Sequence, residues 1–184
     1  MHPQAATGVA LFDLIAGLDA RSRTLATRLP QQATPVERWV GILFRVGERL
    51  LLTPLHQIAE VLGVPGDLTP LPGTQGWVLG VANNRGTLLP IFDLAALVHG
   101  GVPRRRDADR VLVVREEGLQ CGLVASEVIG IRRFAVTERL AELPADLGVL
   151  RPFARAAFAL AGTAVPVIAL DQLLADPLMS LSSA

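Results

Sequence analysis

The sequence contains neither lysine nor tyrosine, has a single cysteine, and has no apolar run long enough to cross a bilayer. Each absence excludes something. Without lysine, all 17 basic side chains are arginine, and 17 acidic ones balance them to a formal net charge of zero, so no whole-molecule field draws the chain to nucleic acid or an anionic membrane. One thiol, Cys121, excludes an internal disulfide framework and a cysteine-rich zinc site. The best spanning stretch, residues 156–170, is interrupted by Gly162 and Pro166 and falls short of the roughly 18 residues a membrane helix needs. No Lys or Arg precedes Arg21, and Asp13 breaks the first apolar stretch, so the N-terminus does not read as a secretory signal and a cytoplasmic protein is expected. Catalytic signatures are missing too. His2, His56 and His99 are scattered without metal-ligand spacing, and there is no Gly-x-Ser-x-Gly elbow or phosphate loop; no catalytic residue, metal or cofactor is expected.

What is present is apolar. Side chains from Ala to Cys on the apolar scale make up 51 %, above the roughly 45–50 % usual for soluble domains even with glycine counted, while charged residues are 18 % against about 25 %. Such a composition excludes disorder, and 184 residues suit one domain by the prior of about 150 each. The apolar surplus requires an explanation.

Leu11, Ile15, Leu18, Leu25 and Leu29 recur at helical spacing, which predicts an amphipathic helix over residues 9–29 that stops at Pro30, followed by a linker to Pro35. From Trp39 the period changes. Val40, Ile42, Phe44 and Val46 alternate, Gly47-Glu48-Arg49 supplies a turn, and Leu50 to Leu52 begin a return strand. Residues 110–115, 116–118 and 119–125 repeat that hairpin plan. Arg104-Arg105-Arg106 reads as a solvated loop, because Asp107 and Asp109 follow and no aromatic residue is interleaved for base stacking.

The chain also repeats itself. Glu60-Val61-Leu62-Gly63-Val64 recurs 67 residues later as Glu127-Val128-Ile129-Gly130-Ile131, and the stretch from Gly86 to Leu94 recurs as Gly162 to Leu170 with four of nine positions identical. Each pair of motifs follows a hairpin, which points to two related β-units. Pro90 and Pro166 belong on edge strands or strand starts. Where the first copy has Asn83, Arg85 and Asp93, the second has Ala159, Ala161 and Ala169. A turn that forms from alanine needs neither Asn83 nor Arg85, which marks them for work beyond the fold. Asn83 and Gly86 suit a turn with positive φ, and Asp93 suits the cap of a helix from Leu94 to Val98.

The stretch from Gly80 to Leu94, with Asn83-Asn84-Arg85-Gly86 and Leu89-Pro90-Ile91-Phe92-Asp93-Leu94, resembles the CheW-like chemotaxis coupling proteins. Phe44-Arg45-Val46-Gly47, Glu60-Val61-Leu62, Leu71-Pro72-Gly73, the run from Gly122 to Val128 and that from Leu170 to Leu174 extend the resemblance over roughly Trp39 to Ala175. Asn84, in place of the family's usual Leu or Val, and Ser126, in place of its usual Asp, depart from the pattern. The resemblance implies a mainly β fold of two SH3-like five-stranded β-barrels, here with an N-terminal amphipathic helix. The expected organisation is a helical segment and linker over 1–35, a CheW-like domain over 36–176 and a tail over 177–184. The two barrel units would span about 36–100 and 110–176, with an exchange of terminal strands left open.

The resemblance further implies a scaffold, not an enzyme. Its partners would be the regulatory domain of a CheA-like histidine kinase and the cytoplasmic tip of a methyl-accepting chemoreceptor, with recruitment to membrane-bound receptor arrays but no membrane insertion. The segment Trp77-Val78-x-Gly80-Val81-Ala82-Asn83 and the N-terminal helix look most like the branch that controls type IV pili and twitching motility, which implies a PilJ-like receptor. A coupling protein of a flagellar system and an enzyme on a small β-barrel are the alternatives; a fusion to a phospho-receiver domain would need a longer chain. Partner contacts are expected at Arg85, whose planar fork of donors suits carboxylates and carbonyls. Asn83 and Gly86 are expected to support it, and Glu60 and Leu62 to line the contact.

Overall fold

A computed structural model describes residues 37–101, 106–116 and 118–179, which lie within one compact unit. The helix expected over 9–29, Arg104, Arg105, His2 and the last residues of the tail lie outside the described residues. Among the described residues ten strands form: β1 (Arg38–Val46), β2 (Arg49–Pro54), β3 (Ile58–Gly63), β4 (Val78–Asn84), β5 (Thr87–Asp93), β6 (Arg110–Glu116), β7 (Leu119–Ala125), β8 (Glu127–Ala135), β9 (Ala154–Leu160) and β10 (Thr163–Ile168). Helix α1 (Leu94–His99) follows β5, and α2 (Leu170–Ala175) follows β10.

Two five-stranded sheets result, in the orders β8-β1-β2-β10-β9 and β3-β6-β7-β5-β4. The orders are the same once β6–β10 are read as the second copy of β1–β5. Each hairpin, however, sits among the three other strands of the opposite copy. The contiguous division at about residues 100–110 is therefore corrected: β1 and β2 belong with β8–β10, and the second sheet is the unbroken run from β3 to β7. Each hairpin is apolar on both faces and so occupies the centre of a sheet, where the outer strands of either copy can cover it. In β1, Ile42, Phe44 and Val46 enter a core shared between the sheets, while Leu43 points into the first barrel with Leu52, Phe134, Phe158, Val165 and Val167. In β6, Leu112 and Val114 enter the shared core, while Val111 and Val113 join Ala82, Leu89, Ile91 and Val124 inside the second barrel. Three cores, not one, absorb the apolar surplus.

Each sheet closes into a small barrel through the segment that links its two edge strands, β3 to β4 in the second sheet and β8 to β9 in the first. In the second barrel Thr69 pairs with Val81 through two backbone bonds of 2.9 Å. In the first, Arg139 pairs with Phe158.

The chain passes between the sheets twice, and a polar side chain fixes each passage. At the turn Leu55–Gln57, the buried Gln57 accepts through Oε1 from Thr53 Oγ1 at 3.0 Å and from Leu170 N at 2.9 Å. That second bond serves the N-terminus of α2, where Ala169 has no capping side chain. At the other passage, Ser126 Oγ accepts from Gly47 N at 2.9 Å and Ser126 N donates to Arg45 O at 2.9 Å. The hydroxyl thus holds the β1–β2 turn, a task within reach of any short acceptor side chain.

Candidate functional site

Strands β4 and β5 form a hairpin in which Asn84 pairs with Thr87, leaving Arg85 and Gly86 as a two-residue turn. Their φ values are 51° and 86°, so both are left-handed, as a turn of type I′ requires. It is Arg85, not Asn83, that carries the positive φ; Asn83 is the last but one residue of β4 and serves the turn through its side chain, Oδ1 accepting from Gly86 N at 2.7 Å. The β9–β10 turn has the same shape, with φ of 48° at Ala161 and 81° at Gly162. Holding an L residue there costs about 1–2 kcal/mol in either copy. The arginine side chain adds nothing to the turn that alanine lacks.

Arg85 is 81 % exposed, and its Nη2 lies 3.2 Å from Oε2 of Glu60 on β3. The other carboxylate oxygen of Glu60 accepts from Asn84 Nδ2 at 2.6 Å. Glu60 is only 26 % exposed. Since β3 and β4 are the two edges of the second sheet, this carboxylate fastens the barrel seam and holds the arginine at its rim. The structure therefore brings together Asn83, Asn84, Arg85, Gly86 and Glu60. Leu62 stands apart: two residues after Glu60 on alternating β3, it packs on the interior of the second barrel.

Two residues of the rim escaped the sequence reading. Leu88 on β5, opposite Asn83, is 72 % exposed, and Asn84 donates to Glu60. The signal for Leu88 was available in the repeat, where Ala164 holds the matching position. For Asn84 it was Leu160.

Asp93 caps α1, its Oδ1 accepting from Ala95 N at 2.8 Å and Ala96 N at 3.0 Å. Burial pushes its carboxyl above the ordinary carboxylate value; the bonds from Ala96 and Ala95 oppose the rise, and Asp109 adds to it. The folded chain holds this proton more tightly than the unfolded chain. Asp93 thus contributes stability below the ordinary carboxylate pKa, lost as pH rises through the raised value. Asp93→Asn keeps the capping oxygen and removes the charge. Urea denaturation should find it at least as stable as the wild type at pH 7, with the difference vanishing below the ordinary carboxylate range. Asp93→Ala should instead lose about 1 kcal/mol of capping.

Asp93 shares its hollow with His99, Arg106 and Asp109. Burial pushes the Cys121 thiol up to about 12, which keeps it protonated inside the shared core. His56 and His99 are exposed, and among the described residues no cluster of His, Cys, Asp or Glu is placed to hold a metal ion.

The fold is thus a pair of small barrels with exchanged hairpins and one exposed arginine at a barrel rim. The model of the CheW-like domain matches residues 40–178, and the chain belongs to the CheW-like family of coupling and scaffold proteins. It is 41 % identical to protein PilI of Pseudomonas aeruginosa over 80 % of this chain and 82 % of that protein. It is 37 % identical to protein FrzA of Myxococcus xanthus over 65 % of this chain and 71 % of that one. The fold superposes on the crystal structure of the scaffolding protein TtCheW from Thermoanaerobacter tengcongensis with a TM-score of 0.66, at 19 % identity, over 80 % of this chain and 94 % of that chain.

Proposed function

We propose that this chain couples a methyl-accepting chemoreceptor to a CheA-like histidine kinase in the control of type IV pili and twitching motility. The similarity to PilI carries the choice of the pilus pathway, and a PilJ-like receptor is the partner it favours. Within the molecule, the reading rests on Arg85. It is a side chain the hairpin does not need, held at an exposed rim beside the apolar Leu88. Arginine next to an apolar contact is the residue type enriched among interface anchors. Kinase and receptor held on one scaffold would let a conformational change in the receptor bias the kinase without any chemistry in the scaffold. No helix among the described residues is long and apolar enough to cross a membrane, so arrival at a receptor array would depend on the partner.

Calorimetry with the kinase regulatory domain and with the receptor's cytoplasmic tip, both from the same genome, tests the coupling. Both should bind, and together with the scaffold they should form a ternary complex. Binding of neither refutes the reading. Deletion of the gene should abolish twitching and spare swimming; the reverse result assigns the protein to flagellar signalling.

A further inference from the structure

We propose that Asn84 is a positioning residue: through Glu60 it keeps the Arg85 guanidinium turned outward, free to bond a partner's carboxylate or main-chain carbonyl. The proposal rests on the reading of Arg85 as the partner anchor. Glu60 is a half-sheltered carboxylate, and both of its oxygens need donors. Asn84 occupies Oε1 at 2.6 Å with a neutral amide, which leaves Oε2 to Nη2 of Arg85 at 3.2 Å. A carboxylate with both oxygens free draws a guanidinium into two parallel bonds. Asn84 disfavours that arrangement by competing for Oε1, so the fork is tethered at one end and presented at the other.

The second repeat supplies the internal comparison. Leu160 and Ala161 stand where Asn84 and Arg85 stand in the first, the hairpin turn is unchanged, and Glu127 is met instead by Nε of Arg45 at 3.3 Å. The asparagine is therefore dispensable for the hairpin. Its bond goes to the one carboxylate that also holds Arg85, which is the placement expected of a residue that tunes the arginine.

The test is Asn84→Leu, read in two ways. Nitrogen-15 NMR of the Arg85 side chain in the free protein should show slowed rotation of the guanidinium as Glu60 takes it with both oxygens. Calorimetry with the kinase regulatory domain and the receptor tip should show affinity reduced about tenfold, the loss of one charge-assisted bond. The thermal midpoint should fall only slightly, by the one seam bond lost between Asn84 and Glu60. In Asn84→Leu/Glu60→Gln the neutral amide no longer captures the fork, so fast rotation and most of the affinity should return. A purely structural role would make the double variant weaker than the single one, and that result overturns the proposal, as does an Asn84→Leu protein whose Arg85 dynamics match the wild type. If Arg85→Ala binds both partners as tightly as the wild type, the anchor reading falls. The NMR comparison, which uses no partner, then still decides whether Asn84 positions the guanidinium.

Discussion

A single methyl group added at position 80 should destabilise the protein by about 3–5 kcal/mol, combining positive-φ strain of about 1–3 kcal/mol with the loss of two backbone bonds of about 1 kcal/mol each. Gly80 has φ of 132°, and a Cβ built there would lie 2.2 Å from Thr69 O and 2.8 Å from Thr69 C. Both obstacles are backbone, so no side chain can rotate aside. The segment carrying Thr69 would have to lift off β4, breaking the two 2.9 Å bonds with Val81 that seal the second barrel. Urea denaturation of Gly80→Ala measures the loss. Gly66→Ala is the control, because a Cβ there meets nothing within 4 Å. Equal midpoints for the two variants would show that the seam contributes little.

Charge reversal at Arg85 is expected to have the largest effect on partner binding. Arg85→Glu should weaken binding by upward of about 2 kcal/mol, the size of an interface anchor and roughly 30-fold in affinity. The new carboxylate both removes the donors and faces Glu60, so it would be turned away from the seam into the contact. Arg85→Ala separates binding from folding. The Ala161-Gly162 turn shows that alanine holds this conformation, so that variant should unfold within about 0.5 kcal/mol of the wild type. Unaltered affinities of the charge-reversed variant for both kinase and receptor would remove Arg85 from the interface.

Local features were legible in the sequence because their causes are local. Alternation in Val40, Ile42, Phe44 and Val46 announced β1, and the second hairpin fell almost where its pattern put it. Asp93 declared itself as a cap through its position before Leu94, and the β4–β5 turn through Asn83 and Gly86. The repeat was visible and an exchange of terminal strands was left open, yet the exchange of whole hairpins was not legible. Nothing in residues 38–54 distinguishes β8 and β10 as neighbours from their first-copy counterparts, since both sets offer equivalent apolar faces. The site divided along the same line. Arg85 stood out against Ala161, whereas the bond from Asn84 to Glu60 crosses a barrel seam whose closure only the folded chain creates. Leu62 was expected to line the contact with Glu60, but strand alternation turns it onto the core of the second barrel.

The interrupted first sheet also sets a timetable for biosynthesis. The second sheet is one unbroken run of chain and can close as soon as β7 leaves the ribosome. The β1–β2 hairpin, made earlier, can lay one face on it through Phe44 and Leu51. Its other face, with Leu43 and Leu52, has no cover until Phe134, Phe158, Val165 and Val167 have been made. That is on the order of a hundred residues later, or roughly 10 s at about 5–20 residues per second. During that interval the nascent chain carries a hairpin finished on one side and bare on the other, so the first strands synthesised are among the last to be fully enclosed.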